Sequence, residues 1–210
     1  MKVARSEEEV SKIRDRILKE SLAIITEQGF TALTMRNLAS RVRMTAPNLY
    51  NYYSNKDKIY LTLVITGFEK LRDVLNEAYR SSDDFIKRSR ALMDAYVRFG
   101  MENSAYYDIM FTRPTPKFDD YVGTPHEKLS RVEYTVSMEI AGLAERAVRE
   151  VTGDKEGRER HGYLKDVVKI WCMLHGMVSL YNSNIISYVA QDARAVYDGL
   201  IQELLESFIP

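Results

Sequence analysis

Three capping residues close together constrain the fold of this chain more than any other feature of its sequence. Thr34, Thr45 and Asn55 can each accept a hydrogen bond from an unpaired backbone N–H at the start of a helix. The helices predicted after the first two caps, 35–42 and 46–52, are too short to be stable alone. A tight turn separates them, and a longer helix begins after Asn55. This arrangement predicts a helix-turn-helix.

The second short helix divides its side chains between a core and an outer face. Leu49 and Tyr53 are four residues apart and point inward. In a helix-turn-helix, the outer face of the second helix enters the major groove of DNA. Asparagine can pair with adenine there, and apolar atoms can meet a thymine methyl group. A solvated helix face is the alternative. The candidates for the groove are Thr45, Ala46, Pro47, Asn48, Tyr50, Asn51 and Tyr52.

The charges are unevenly distributed, although the chain is neutral overall. Residues 1–60 hold 11 Lys/Arg and 7 Asp/Glu, whereas residues 61–210 hold 19 and 23. A basic head on an acidic body is typical of a protein whose head binds DNA. Without other evidence, a chance asymmetry among solvated helix faces explains this charge distribution equally well. The helix-turn-helix pattern is what favours the DNA-binding interpretation.

Composition argues against several other kinds of protein. No run of about 18 apolar residues could span a membrane, and the N-terminus MKVARSEEEV lacks the apolar region of a secretory signal. Cys172 is the only cysteine, which excludes an internal disulfide and a multi-cysteine metal site. His126, His161 and His175 are too scattered for a metal motif. We therefore expect a cytoplasmic protein without a metal, a cofactor or a membrane contact.

Sparse glycine and proline, together with helical spacing of apolar residues, predict an all-α fold. Gly29 and Gly100 are predicted to end helices, and Asn103 to cap a short aromatic helix. We divide the chain into a helix-turn-helix DNA-binding domain, 1–57, and a helical ligand-binding and dimerisation domain, 58–210. Besides the two short helices, the predicted helices cover about 6–28, 56–79, 85–99, 104–111, 125–153, 162–182 and 192–208, with a loop at 113–125.

The segment RDRILKESLAIITEQGFTALTMRNLASRVRMTAPNLYNYYSNKDKI resembles the N-terminal domain of TetR-family transcriptional regulators. It shares the Gly29-Phe30 helix stop, the Leu49-Tyr50 pair and the Asn55-Lys56 start of the fourth helix. One departure is Arg43, where the family usually has glycine; a left-handed backbone there costs about 1–2 kcal/mol. The resemblance implies phosphate contacts at Tyr50 and Lys56. Two residues at the start of the first short helix complete the expected DNA contacts, namely Thr34 and Arg36.

The rest of the chain resembles one C-terminal subclass of the same family. WCMLHGMVSL, residues 171–180, has its Trp-His-Gly spacing, and YYDIMF, residues 106–111, is also similar to it. This resemblance implies a dimerising, ligand-binding domain without naming the ligand. We expect the last two helices to form the homodimer interface, because the apolar face of the last helix is wider than one neighbour in the same chain needs. Its residues are Ala193, Val196, Tyr197, Leu200, Leu204, Leu205 and Phe208.

Aromatic and methionine side chains in the body could line a pocket, or they could form an ordinary core. We expect Trp171 and His175 to face inward one turn apart, with His175 either orienting a ligand or satisfied in the core. Cys172 is expected to be a small buried apolar residue, and His126 and His161 to lie at the surface. The candidate ligand-binding residues are Tyr96, Phe99, Tyr107, Met110, Phe111, Trp171 and His175.

The expected function is a repressor that binds a palindromic double-stranded DNA operator as a homodimer and is released by a small, mainly apolar effector. One alternative is a DNA-binding regulator without small-molecule input. Another is an enzyme with an attached helix-turn-helix. The enzyme has no support in the sequence, because no phosphate-binding glycine loop, metal pattern or nucleophile motif is present.

Overall fold

The computed structural model describes residues 6–153 and 159–209, and throughout these ranges the regular elements are helices. The predicted all-α fold is confirmed. Short 3-10 turns cover Phe30–Ala32, Phe118–Tyr121 and Ile186–Tyr188, and one π-helical turn covers Asp108–Thr112. The α-helices are α1 (Glu7–Gln28), α2 (Met35–Arg41), α3 (Ala46–Tyr50), α4 (Lys56–Arg80), α5 (Phe85–Glu102), α6 (Ser104–Tyr107), α7 (Glu127–Thr152), α8 (Arg160–Asn182) and α9 (Ala193–Glu206).

The chain forms two compact units. The first contains Met1–Phe68 and Ala105–Tyr134, and the second contains Glu69–Ser104 and Thr135–Pro210. Both α4 and α7 therefore contribute residues to each unit. The first unit holds the predicted head together with the segment from α6 to the start of α7. The functional boundary after residue 57 stays a prediction.

The predicted helix caps of the head are present, with one exception. Thr34 accepts a hydrogen bond from the backbone N–H of Asn37 at 3.1 Å, and Asn55 accepts one from Lys58 at 2.9 Å. Thr45 occupies the cap position of α3, but its side chain makes no capping hydrogen bond. Thr45 is exposed, so its hydroxyl is accessible to solvent.

The turn between α2 and α3 contains a residue in the left-handed backbone conformation, which is unfavourable for any residue other than glycine. Arg43 has φ 53°, the left-handed region in which a side chain collides with the following carbonyl oxygen. The turn is nevertheless closed by regular hydrogen bonds, since the N–H of Met44 donates to the carbonyl of Ala39 at 2.8 Å. Tertiary packing of α2 and α3 therefore holds Arg43 in a conformation that favours glycine.

In the second unit, α5 packs against α8 and α9. The predicted end of α5 at Gly100 is wrong, because the helix continues to Glu102. Gly100 is buried, and its carbonyl accepts a hydrogen bond from the Asn182 side chain of α8 at 3.1 Å. Packing thus outweighs the low helix propensity of a single glycine. Asn103 closes α5, since its backbone N–H donates to the carbonyl of Phe99 at 2.8 Å; its predicted role as the cap of the next helix stays a prediction.

The last helix buries one face in its own unit. Tyr197, Ile201, Leu204 and Leu205 are buried, and the hydroxyl of Tyr197 donates to the carbonyl of Met177 in α8 at 2.8 Å. Part of the apolar face that the sequence predicts for dimerisation is therefore used inside the chain.

Among the described residues, no helix is long and apolar enough to cross a membrane.

Candidate nucleic-acid interface

The short helix α3 presents a polar face. Leu49 is buried in the head, and so is Tyr53 just beyond the helix, as the sequence predicts. Tyr50 is 51% exposed. Thr45, Pro47 and Asn51 are also exposed, whereas Ala46, Asn48 and Tyr52 are half-buried. The surface therefore offers amide, hydroxyl and apolar groups together, as readout of base edges requires.

A shallow depression adjoins the start of α2. The Asn37 side chain in its lining donates a hydrogen bond to the carbonyl of Ala32 at 3.0 Å. Thr34 and Arg36 are both exposed at its rim. Arg36 forms no ion pair within the described parts of the chain, so its guanidinium is available to an anion. The lining residues are Ala32, Thr34, Arg36, Asn37 and Ser40.

A second cationic group lies at the start of α4. The Lys56 ammonium lies 4.7 Å from the centroid of the Phe30 ring, and Phe30 packs edge-on against Tyr60 with centroids 4.9 Å apart. The first backbone N–H groups of a helix and the positive end of its dipole attract phosphate. Lys56 therefore adds a fixed cation to a helix start that already favours anions.

Arg41 does not belong to this surface. Its guanidinium donates to Glu20 at 3.1 Å and to Glu27 at 2.9 Å, both on α1. The hydrogen bond from Arg41 holds the pKa of Glu27 below its ordinary value. Arg41 thus ties α2 to α1.

Sequence reasoning missed a set of contacts between the 113–126 segment and the start of α4. The Tyr60 hydroxyl donates to the carbonyl of Pro116 at 3.0 Å, and the Tyr121 hydroxyl donates to Asp57 at 3.3 Å. Burial raises the pKa of Tyr60 to about 12, so it remains a donor at neutral pH. His126 approaches Asn55 and is half-buried, which corrects its predicted surface position. No local pattern indicates contacts over this sequence separation.

Three of the candidate ligand residues lie in the first unit. Tyr107 and Met110 are buried, and Phe111 is half-buried with its ring centroid 4.9 Å from that of Tyr107. Gly67 on α4 allows this packing, because a Cβ there would lie 2.5 Å from the Met110 sulfur. The side chains are joined by the π-helical turn, a feature frequent at functional sites.

The other four candidate ligand residues lie in the second unit. Tyr96 and Phe99 are buried on α5, and the Trp171 indole N–H donates to the Tyr96 hydroxyl at 2.8 Å. His175 is half-buried, and burial lowers its pKa. The prediction that Trp171 faces inward is wrong, since it is 47% exposed.

Trp171 lies at the edge of the face of α8 that packs in its unit, since the buried Leu174 and Val178 follow it by three and seven residues on the same side of the helix. Leu174, Met177 and Val178 are buried, while Cys172 is exposed and the prediction that it is buried is wrong. Helical periodicity identifies residues that share a face, but it does not say which face the chain covers. Other large apolar residues of α8, α9 and their connection are also exposed, namely Leu164, Val168, Met173, Leu180, Tyr181, Ile185, Tyr188, Val189 and Val196.

Within the described ranges, no group of three or more His, Cys, Asp or Glu side chains could hold a metal.

Two family models match this chain. The model described as "Tetracyclin repressor-like, C-terminal domain" matches residues 89–204, and the model described as "Bacterial regulatory proteins, tetR family" matches residues 17–63. The assignment to the Trp-His-Gly subclass stays a prediction.

Similar proteins are transcription regulators and not enzymes. The transcriptional activator FasR of Mycolicibacterium smegmatis is 27% identical over 112 residues, which cover 53% of this chain and 48% of FasR. The match thus spans about half the length of that relative. The negative transcriptional regulator IcaR of Staphylococcus aureus is 21% identical over 129 residues, covering 61% of this chain and 68% of IcaR. A regulatory protein from Rhodococcus RHA1 shares the fold, with a TM-score of 0.73, 14% identity, and coverage of 94% of this chain and 97% of that one.

Proposed function

This chain belongs to the TetR family of bacterial regulatory proteins, and we propose that it is a cytoplasmic repressor that binds a palindromic operator as a homodimer and leaves it when a small apolar effector binds. The observation that carries the proposal is the exposed polar face of α3 beside the cationic start of α4. Tyr50 and Asn51 lie on that face, and Lys56 begins α4. Members of this family use these elements to bind DNA.

The proposed contacts divide into two kinds. Asn48 and Asn51 can make paired hydrogen bonds to base edges and supply sequence preference. Lys56, Arg36, Tyr50 and Thr34 can bind phosphates, which supplies affinity without sequence preference. The remaining proposed contacts at the end of the recognition helix are Thr45, Ala46, Pro47 and Tyr52.

The homodimer is proposed to form through α8 and α9. Single exposed apolar residues are ordinary on a monomer, but a large contiguous set marks an interaction surface. In the second unit Val168 is 52% exposed, and Tyr188 in the α8–α9 connection is 89% exposed. A two-fold dimer makes such a face self-complementary. It also presents two recognition helices to half-sites about one helical turn, roughly 34 Å, apart.

The candidate effector contacts among the aromatic residues are proposed separately for each unit. In the second unit these are Tyr96, Phe99 and Trp171, with His175 as the polar group that orients the ligand. In the first unit Tyr107, Met110 and Phe111 surround the π-helical turn. Apolar walls with few polar groups suit a small, mainly apolar molecule. To act as a switch, the effector must bind the DNA-free form about 100-fold more tightly, which corresponds to roughly 2.7 kcal/mol.

The repressor role is proposed over an activator role. FasR is named as an activator and IcaR as a negative regulator, so the relatives include both a protein that raises transcription and one that lowers it. The C-terminal match is to a domain described as repressor-like. A promoter–reporter fusion tests the sign, because deletion of the gene should raise expression from the target promoter and effector should do the same.

Fluorescence anisotropy with the DNA upstream of the gene and of its neighbours tests the proposal directly. We expect one duplex to bind with an affinity that falls steeply with salt, because phosphate contacts release counterions. Compounds handled by the products of the neighbouring genes can then be screened by thermal shift, and those that bind should release the duplex. Folded dimer that binds none of these duplexes, or binds them independently of salt, would contradict the proposal.

A further inference from the structure

Asn55 and His126 meet at the start of α4, although they are 71 residues apart in sequence. The Nδ2 atom of Asn55 lies 3.1 Å from Nε2 of His126. The Oδ1 atom of the same amide accepts from the backbone N–H of Lys58 at 2.9 Å. The cap therefore fixes the orientation of the amide, and Nδ2 must be the donor toward His126. Nε2 must then accept, which an imidazole nitrogen does only when it carries no proton.

We propose that His126 is a positioning residue of the DNA interface, which holds the cap of α4 only in its neutral form, so that protonation of His126 weakens DNA binding. The inference rests on the proposed function. Protonation places an N–H at Nε2 opposite the N–H of Asn55, and two donors at this distance repel. Asn55 immediately precedes Lys56, so the disturbed cap lies next to the proposed phosphate contact.

The neighbouring carboxylates already accept hydrogen bonds from other groups. Asp57 already accepts from the Tyr121 hydroxyl, and the Tyr121 ring lies edge-on to His126 with centroids 6.2 Å apart. Glu127, the next residue along the chain, accepts from the Arg131 guanidinium at 2.7 Å. The other charged groups at these two helix starts are cations, which oppose a charged imidazole: Lys56, Lys58 and Lys128.

Histidine is the side chain whose charge ordinarily changes between about pH 5 and pH 8. The measured quantity is the ratio of the operator Kd at about pH 5.5 to that at about pH 7.5, at constant ionic strength. Loss of one hydrogen bond at the interface predicts a ratio of roughly three to ten for the wild-type protein.

Two substitutions of His126 separate titration from packing. His126→Gln places an amide oxygen opposite Asn55, which accepts at either pH, so its Kd ratio should fall toward one. His126→Arg keeps a donor there at either pH, so its ratio should also be near one, with weak binding at both. His161→Gln is the matched control, because His161 is exposed at the start of α8 and its loss should leave the wild-type ratio.

The tautomer of His126 gives a readout in the DNA-free protein. Nitrogen-15 NMR of the imidazole should place the proton of the neutral form on Nδ1. A proton on Nε2, or a His126→Gln variant with the wild-type ratio, overturns the proposal. If the wild-type protein binds no operator at either pH, the proposed function fails and the positioning role fails with it. The tautomer then still shows whether the contact itself is correct.

Discussion

The ammonium group of Lys56 lies 4.7 Å from the centroid of the Phe30 ring, so the residue that begins α4 is held by the first residue of the 3-10 turn after α1. A cation–π contact at a partly exposed site contributes about 0.5–1 kcal/mol. Phe30 is itself fixed against Tyr60. The cation proposed to bind phosphate is therefore oriented before DNA arrives, which reduces the entropy lost on binding.

Replacement of Lys56 should reduce affinity without changing sequence preference. Lys56→Ala removes one phosphate contact, so the plot of log K against log salt should become shallower by roughly one unit. Operator and unrelated DNA should be weakened by about the same factor. The control is Lys70→Ala, an exposed lysine on the body part of α4, which should retain the wild-type slope. An unchanged slope in Lys56→Ala would remove Lys56 from the interface.

Replacement of Asn51 should have the opposite pattern. Asn51 is exposed at the end of α3, and a paired hydrogen bond to a base contributes about 1–3 kcal/mol of discrimination. Asn51→Ala should therefore relax preference at particular base pairs and keep the salt slope. A panel of operators with single base-pair changes measures this. If Asn51→Ala and Lys56→Ala give the same profile across the panel, the division between specificity and affinity is wrong.

The local parts of this interface could be predicted from sequence because their causes are local. A cap needs only a suitable side chain and the next few backbone N–H groups, and so Thr34 and Asn55 were identified correctly. Thr45 shows the limit, since it occupies the cap position without making the bond. The contact between Asn55 and His126 depends on how the 113–126 segment returns to the head, and no short-range pattern encodes that.

Relief of the strained turn should stabilise the protein. Arg43 has φ 53°, and glycine adopts this backbone without a steric penalty. Arg43→Gly should raise the free energy of unfolding by about 1 kcal/mol and the Tm by roughly 2–4 °C. Asn184 has φ 58° and offers a comparison, because asparagine enters the left-handed region more easily. Calorimetry should find a smaller gain for Asn184→Gly; a lower Tm in Arg43→Gly would mean that its side chain stabilises the fold.

A charge on the exposed face of α8 should separate the proposed dimer without unfolding it. Leu204 is only 3% exposed in its own unit, so Leu204→Glu would damage the core as well as any interface. Val168 is 52% exposed on α8, and Val168→Glu should give a helical monomer that no longer binds operator. Sedimentation and circular dichroism measure both properties. Val132→Glu, at a residue 43% exposed on α7, should remain dimeric; a dimeric Val168→Glu would place the interface elsewhere.

The orientation of α8 marks where sequence reasoning about the body fails. Trp171 and His175 were predicted to face inward from their spacing, but they lie at the edge of the buried stripe of Leu174, Met177 and Val178, and Trp171 is 47% exposed. Other apolar residues of the helix are exposed, among them Val168 and Met173, and a second copy is proposed to cover them. A single sequence cannot distinguish the face that packs within the chain from the face that packs against a partner.

Burial of His175 gives the stability of the protein a defined pH dependence. Its pKa is lowered below the ordinary value of 6.5 by burial, so the folded protein binds fewer protons than the unfolded chain as pH falls. The stabilising contribution is therefore complete above about pH 6.5 and is lost as pH decreases through the lower folded-state pKa. His175→Phe removes this titrating group. The Tm of this variant should therefore decrease less than that of the wild-type protein when the pH is lowered from about 7.5 to about 5. The His161→Gln protein should follow the wild-type curve, because His161 is exposed. Equal losses of Tm in His175→Phe and wild type would show that His175 is solvated in the folded protein, and it could not then be the buried polar group of an apolar effector site.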